Sequence, residues 1–297
     1  MVSKFFITAT AIGLFATSMG SASAAGGDSY DSQAGVKATN VQVVWHIDLA
    51  GVNLGKLGLS ATLKGEEYSA TSWLETRGIV NVFWESRIDA DSRGAIAAGK
   101  MVPEAYNSDY KGAKSTQKVN LAFTGGFPAQ LIAIPEYDLK RFPVTEEQKV
   151  GTVDPLSGMV LAIAGVTVSS DSPCGTTIPV FDGKRRYDVD LKFRHKVNVD
   201  EGKHGYRGPA LECQMEYKQI AGFKPQLDPE DRDMPEIYAW MAPVKRADDP
   251  SKEIYMPIKI WAETAFGTAM AMARHMKVND AVPQSSLATA PASNTVE

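Results

Sequence analysis

Cysteine and histidine are both scarce. Only Cys174 and Cys213 occur in 297 residues, and the four histidines, His46, His195, His204 and His275, lie far apart. This shortage leaves no metal-binding spacing and no C-x-x-C motif, so no metal site and no redox thiol pair is expected. Long apolar runs are missing as well: no segment reaches the roughly 18 uninterrupted apolar residues that mark a membrane-spanning helix. Neither sign of charge dominates, with 31 basic and 35 acidic side chains and a formal net charge of −4. The densest basic cluster, Lys184, Arg185 and Arg186, is bracketed by Asp182 and Asp188 and reads as a solvated turn. Without a concentrated basic face, nucleic acid is not an expected partner.

Catalytic signatures are equally absent. The chain carries no G-x-S-x-G elbow, no H-E-x-x-H and no P-loop. Ser157-Gly158 and Ser92-Arg93-Gly94 read as ordinary turns or caps. The carboxylate pairs Glu66-Glu67, Glu146-Glu147, Asp231 with Asp233, and Asp248-Asp249 fall in turn-rich segments and are expected to be solvated. Paired acids can hydrolyse glycosides, but the separation that chemistry requires is not legible in sequence. No catalytic residue and no cofactor is expected, and no ligand-binding residue is assigned.

What the chain does have begins at its start. Lys4 precedes an apolar run from Phe5 to about Met19, followed by small residues and an Ala22-Ser23-Ala24 site. These are the three parts of a secretory signal peptide, so residues 1–24 are expected to be cleaved and the mature protein to be periplasmic. Residues 25–40 are rich in Gly, Ser, Ala and Asp without periodicity, and read as a flexible lead-in. Residues 278–297 are rich in Ala, Ser, Pro and Thr, and read as a disordered tail. The roughly 270 residues after the signal suffice for one large β domain with a sizeable core.

In an exported chain the two cysteines most simply pair with each other. A metal pair or a redox-active pair is the alternative, but a spacing of 39 does not resemble C-x-x-C.

Between the ends the dominant period is two. In Tyr187-Asp188-Val189-Asp190-Leu191-Lys192-Phe193-Arg194, apolar and charged residues alternate, as in a strand with one buried and one wet face. Leu57 to Leu63 and Tyr68 to Leu74 alternate around a turn at Gly65-Glu66, and Val119 to Phe123 and Leu211 to Tyr217 repeat the pattern. Ile254 to Ile260 does the same, with Pro257 pointing to an edge or a bulge. One helix interrupts the strands, over about 154–164. Asp154 can cap it, Pro155 suits its first position, and Leu156, Met159, Val160, Ile163 and Ala164 recur at helical spacing. Thr145-Glu146-Glu147-Gln148 has the form of a capping box. The expected fold is mainly β: a single curved antiparallel sheet, or an open or partly closed β-barrel, over residues 41–277 with one buried helix. The five tryptophans, Trp45, Trp73, Trp84, Trp240 and Trp261, are read as core packing, with lining of a cavity as the alternative.

Several motifs occur in order: Val153-Asp154-Pro155-Leu156-Ser157, Cys174, Thr177 to Asp188 with Phe181-Asp182-Gly183 at its turn, Tyr206 to Cys213, Ile220-Ala221-Gly222-Phe223, and Trp240 to Val244. This set resembles the exported proteobacterial proteins grouped as domain of unknown function 3108. The resemblance implies an envelope address and a β-rich fold with two bridging cysteines, and no catalytic residue. The expected function is a non-enzymatic cell-envelope protein whose concave sheet binds or carries a lipid or lipoprotein segment. The alternative is an envelope-integrity scaffold that binds protein partners or peptidoglycan.

Overall fold

The computed structural model describes residues 37–76, 85–97, 100–164, 174–202, 205–224 and 235–279. The expected signal peptide, lead-in residues 25–36 and the tail from residue 280 lie outside the described residues, as do Trp84, His204, Asp231 and Asp233.

Thirteen strands form one sheet: Thr39–Leu49 (β1), Val52–Lys64 (β2), Glu67–Thr76 (β3), Ser86–Ala97 (β4), Lys100–Gly112 (β5), Thr116–Thr124 (β6), Phe127–Ile134 (β7), Gly175–Phe181 (β8), Arg186–Asp200 (β9), Arg207–Ala221 (β10), Ile237–Lys245 (β11), Glu253–Thr264 (β12) and Gly267–Val278 (β13). Two helices, Glu146–Lys149 (α1) and Pro155–Ala164 (α2), lie in the connection from β7 to β8. The spatial order is β7-β6-β5-β4-β3-β2-β1-β13-β12-β11-β10-β9-β8. Two antiparallel meanders are therefore joined by pairing of the first strand with the last, Val41 facing Val278 and Leu49 facing Ala269. Among the described residues no ladder joins β7 to β8, so the sheet is curled but not closed. Its two ends nevertheless approach. A Cβ added at Gly183, in the turn after β8 where φ is +92°, would lie 2.9 Å from Leu131 of β7 and 3.2 Å from Val119 of β6. Only a residue without a side chain fits that turn against the far end of the sheet.

The inner face is set by alternation. Val41, Val43 and Trp45 of β1, Leu59 and Leu63 of β2, and Tyr68 and Ala70 of β3 point inward and join one buried cluster with Leu156, Val160 and Ile163 of α2. The helix packs on β12 and β8, and on β3, β4 and β5, so it fills one end of the curled sheet. Both helix starts have the expected chemistry. Thr145 and Gln148 form a reciprocal capping box on α1, and Oδ1 of Asp154 accepts from the amides of Leu156 at 3.0 Å and Ser157 at 2.9 Å. The edge of β8 is covered by the segment entering α2: Val153 pairs with Val180, and its amide donates to Pro179.

Three expectations are corrected. The first strand starts at Thr39, inside the expected lead-in, because the Thr39 hydroxyl is fully buried and accepts from the amides of Ala247 and Asp248. A further expectation resolves to one of its alternatives: Pro257 sits at a bulge and not an edge, since β12 is central and the register slips opposite Trp240 and Met241, and its carbonyl accepts from Trp45 Nε1 at 2.7 Å. Arg186 is not part of a solvated turn. Its side chain is 12% exposed, and its guanidinium donates to Gln148 O, Tyr187 O and Asp188, tying α1 to β9. Asp248 is not a solvated loop carboxylate either, since it pairs with the buried Arg246 and accepts a hydrogen bond from the Thr39 hydroxyl.

Candidate functional site

The two ends of the curled sheet differ. Around α2 the inner side chains are almost wholly buried, Val43 and Trp45 at 1% and Ile254 and Met256 at 0%. Toward the other end the inner residues are only half-buried. One cross-strand row runs Leu57, Leu74, Ile88, Tyr110 on β2 to β5, paired in that order. A second runs Ile47, Ala271, Ile260, Ala239, Cys213, Phe193 across β1, β13, β12, β11, β10 and β9. Ile47, Ala271 and Ile260 in it are half-buried, Ala239 and Cys213 are buried, and Phe193 is exposed.

The far wall of this chamber is built from small residues. In Gly267–Val278 the inward positions are Ala269, Ala271 and Ala273, and the outward ones Met270 and Met272. Its neighbours follow the same rule. Ala262 and Ala239 face inward, while Trp261, Lys259, Trp240 and Tyr238 face outward. The large side chains make a layer of their own outside. Tyr238 stacks on Trp261 at 5.6 Å, Trp240 meets Trp261 edge-on at 5.3 Å, and Lys259 Nζ lies 4.5 Å from the Trp240 ring centre. Trp240 Nε1 donates to Glu212 at 3.1 Å. The aromatic side chains of β11 and β12 thus lie on the outer face, while five inward positions of β11 to β13 are alanine, with Ile260 among them.

The floor between chamber and helix holds a polar knot. Asp154 is fully buried, and its Oδ2 accepts from Ser92 of β4 at 3.0 Å and from Ser157. Ser157 Oγ lies 2.6 Å from the Tyr68 hydroxyl and 2.9 Å from Ser92 Oγ. Burial pushes the Asp154 carboxyl above its ordinary range, against the lowering effect of the hydrogen bonds from Ser157, Ser92 and Leu156. Burial likewise pushes the Tyr68 hydroxyl up to about 12. The group is an internal fastening of helix to sheet: Tyr68 comes from β3, Ser92 from β4, and Asp154 and Ser157 from the start of α2. The reading of Ser92 and Ser157 as ordinary turns or caps is therefore corrected. Ser92 lies inside a strand and reaches Asp154 only through long-range folding, while Ser157 lies in the first turn of a helix and joins the nearby Asp154 to the distant Ser92 and Tyr68.

Cys174 and Cys213 form a disulfide with Cα atoms 5.9 Å apart, within the normal range for such a bridge. It fastens the chain entering β8 to β10 across β9, where Cys213 lies opposite Phe193 and the Phe193 amide donates to Cys174 O at 3.1 Å. The described histidines do not converge: His46 lies in β1 opposite Met272, while His195 and His275 are exposed on β9 and β13. No cluster of three or more metal-ligating side chains occurs among the described residues. Trp45 is core, whereas Trp73, Trp240 and Trp261 lie on the outer face, so none of these four lines the chamber. The exchange of alanine and methionine along β13 was visible in sequence, but which parity faces inward was not.

These features define a class: a disulfide-bridged antiparallel sheet, curled but unclosed, with one end filled by a helix and the other lined by half-buried apolar side chains. Residues 41–274 match the family described as protein of unknown function DUF3108, and the chain belongs to that family. No curated protein matches the sequence. Among solved structures, the chain is similar to a crystal structure described as a beta-barrel-like protein of domain of unknown function DUF1849 from Brucella abortus, with 11% identity, a TM-score of 0.43, and coverage of 83% of this chain and 99% of that one. No helix among the described residues is long and apolar enough to cross a membrane.

Proposed function

We propose that this is a non-enzymatic, periplasmic cell-envelope protein that binds an apolar ligand, an acyl chain of a lipid or lipoprotein, in the chamber inside its sheet. The observation that carries this reading is the inner wall of β11 to β13, where Ala239, Ala262, Ala269, Ala271 and Ala273 surround Ile260 at the inward positions, while Tyr238, Trp240, Lys259, Trp261, Met270 and Met272 face out. An ordinary core would place the larger side chains inside, because each buried methylene stabilises the fold by about 0.8 kcal/mol. Here that gain is left for a guest. The disulfide and the signal-like N-terminal sequence support an oxidising, exported setting.

Wild-type protein is expected to take up a fluorescent fatty acid and to retain acyl ligands in native mass spectra after gentle purification. Ala271→Trp, which fills the chamber from β13, is expected to weaken uptake at least about tenfold. Overpacking would cost the fold no more than about 1 to 3 kcal/mol. A ligand-free spectrum together with no fatty-acid uptake by the wild type would overturn the reading.

A further inference from the structure

The opposite face of the sheet carries a second concavity, remote in chemistry from the chamber. Over β3 to β6 the outward side chains form two parallel rows. One runs Trp73, Asp89, Asp109, Lys118, and the other Thr71, Asp91, Asn107, Asn120, each residue paired with the next across neighbouring strands. Together they line a groove of about 460 Å³. That is within the usual range of small-ligand sites, roughly 300–1,000 Å³.

Its walls and floor differ. The Trp73 indole leans across β2, so that a Cβ added at Gly58 would meet it at 2.3 Å. Gly58 thus gives the ring a place to lie, and the half-buried indole closes the β2 side. Past the groove, the rows meet Ile134 and Ile132 of β7, which are 59% and 58% exposed. The floor beside the indole is a chain of amides and carboxylates. Asn120 Nδ2 donates to Asn107 Oδ1 at 2.6 Å, and Asn107 Nδ2 donates to Asp91 at 2.8 Å. Asp109 offers more. Its Oδ2 lies near Lys111 and Lys118, while its Oδ1 is buried with no hydrogen-bond partner among the described residues.

We infer that this groove is a binding site for a neutral oligosaccharide. A sugar ring has apolar C–H faces and a rim of hydroxyls that both donate and accept, and the groove supplies the complement of each. The Trp73 ring suits the C–H face. Both Asp89 oxygens already accept from the Arg87 guanidinium, at 2.7 and 2.6 Å, and the Arg87 guanidinium carbon lies 6.0 Å from the Trp73 ring centre; the Asp91 and Asp109 carboxylates accept from hydroxyls, and the Asn107 and Asn120 amides both donate and accept. Asp89, Asp91 and Asp109 are balanced by Arg87, Lys111 and Lys118, and a surface without net charge suits an uncharged ligand. The four strands place equivalent side chains about 4.8 Å apart, a step close to that of successive pyranose rings, so an extended chain of a few sugars can meet the same rows repeatedly. Occupancy of the groove does not depend on occupancy of the chamber.

Isothermal titration of the full chain with N-acetylglucosamine and glucose oligomers tests this, and comparison of the two separates acetamido from plain sugars. Sedimentation with purified peptidoglycan tests the polymeric source. Binding of at least one oligomer is expected. Trp73→Ala should weaken it about tenfold, as should the exposed change Asn120→Ala, which does not touch the core. Trp240→Ala, on the separate aromatic layer, should leave it unchanged. The inference is overturned if the wild type binds neither oligomer, or if it binds one and N120A and a folded W73A bind equally well. Fatty-acid uptake measured on the same variants should be unaltered, which separates failure of this site from failure of the chamber.

Discussion

Asp154→Ala is expected to destabilise the protein by about 3 to 4 kcal/mol, read as a lowered urea midpoint with an unchanged slope. Two losses combine. The first turn of α2 loses the acceptor for two of its free amides, which typically costs about 1 kcal/mol. The hydroxyls of Ser92, Ser157 and Tyr68 then share a buried space without the oxygen around which they are arranged. Asp154→Asn is the informative companion, because its side-chain oxygen keeps the cap while its charge state is fixed. Desolvation holds the Asp154 carboxyl above its ordinary value, so between that value and the raised one the folded chain binds more protons than the unfolded chain. Stability contributed by this residue is therefore complete at low pH and declines as pH rises through the window. The melting temperature of D154N relative to wild type should rise with pH. A difference that stays constant, or falls, across the acidic range would contradict the assignment.

Loss of the Cys174–Cys213 bridge is expected to have a similar effect. The bridge closes a sequence separation of 39 residues, for which the chain-entropy relation gives about 4 kcal/mol as an upper figure. The double change Cys174→Ser with Cys213→Ser should lower the urea midpoint correspondingly, and reductant should do so for the wild type but not for the variant. Both sulfur atoms sit on nearly inaccessible residues, at 2% and 1% exposure. Reduction of the native protein should accordingly be slow unless unfolding precedes it. Rapid labelling of both thiols under native conditions, with no change in stability, would refute a structural role.

Much of this architecture was legible in the residues because one side of most strands is wet. Tyr187 to Arg194 and Leu57 to Leu63 announce both strand and face through strict alternation. Asp154-Pro155 followed by apolar residues at three- and four-residue steps announces the helix and its start. Legibility fails where both faces are apolar. Along Gly267–Val278 alanines alternate with methionines, and in Ile237–Lys245 tryptophan and methionine adjoin, so hydrophobicity alone does not say which parity faces inward. Pairing with β1 and β12 settles it.

The polar knot was hidden for a different reason. Ser92 and Tyr68 lie 62 and 89 positions from their partners in the helix, and no local pattern links a strand serine to a helix cap. The outer groove is spread over four strands in the same way, with a single outward residue from each contributing to each row. Only the register brings Trp73 into line with Asp89 and Asp109. Asp248 was misread because its burial depends on Thr39, 209 positions away.

The missing ladder between β7 and β8 gives the molecule a seam. Its two lips can separate at the expense of side-chain contact alone, at Gly183 against Leu131 and Val119, whereas parting any other pair of neighbouring strands would strip backbone amides of their partners. The lips are unequal, because the β8 side is held by Val153 at its rim and is tethered through sulfur, while no ladder lies beyond β7. Girth is thus adjustable on one side only, as in a cuff with a fixed hem and a loose one.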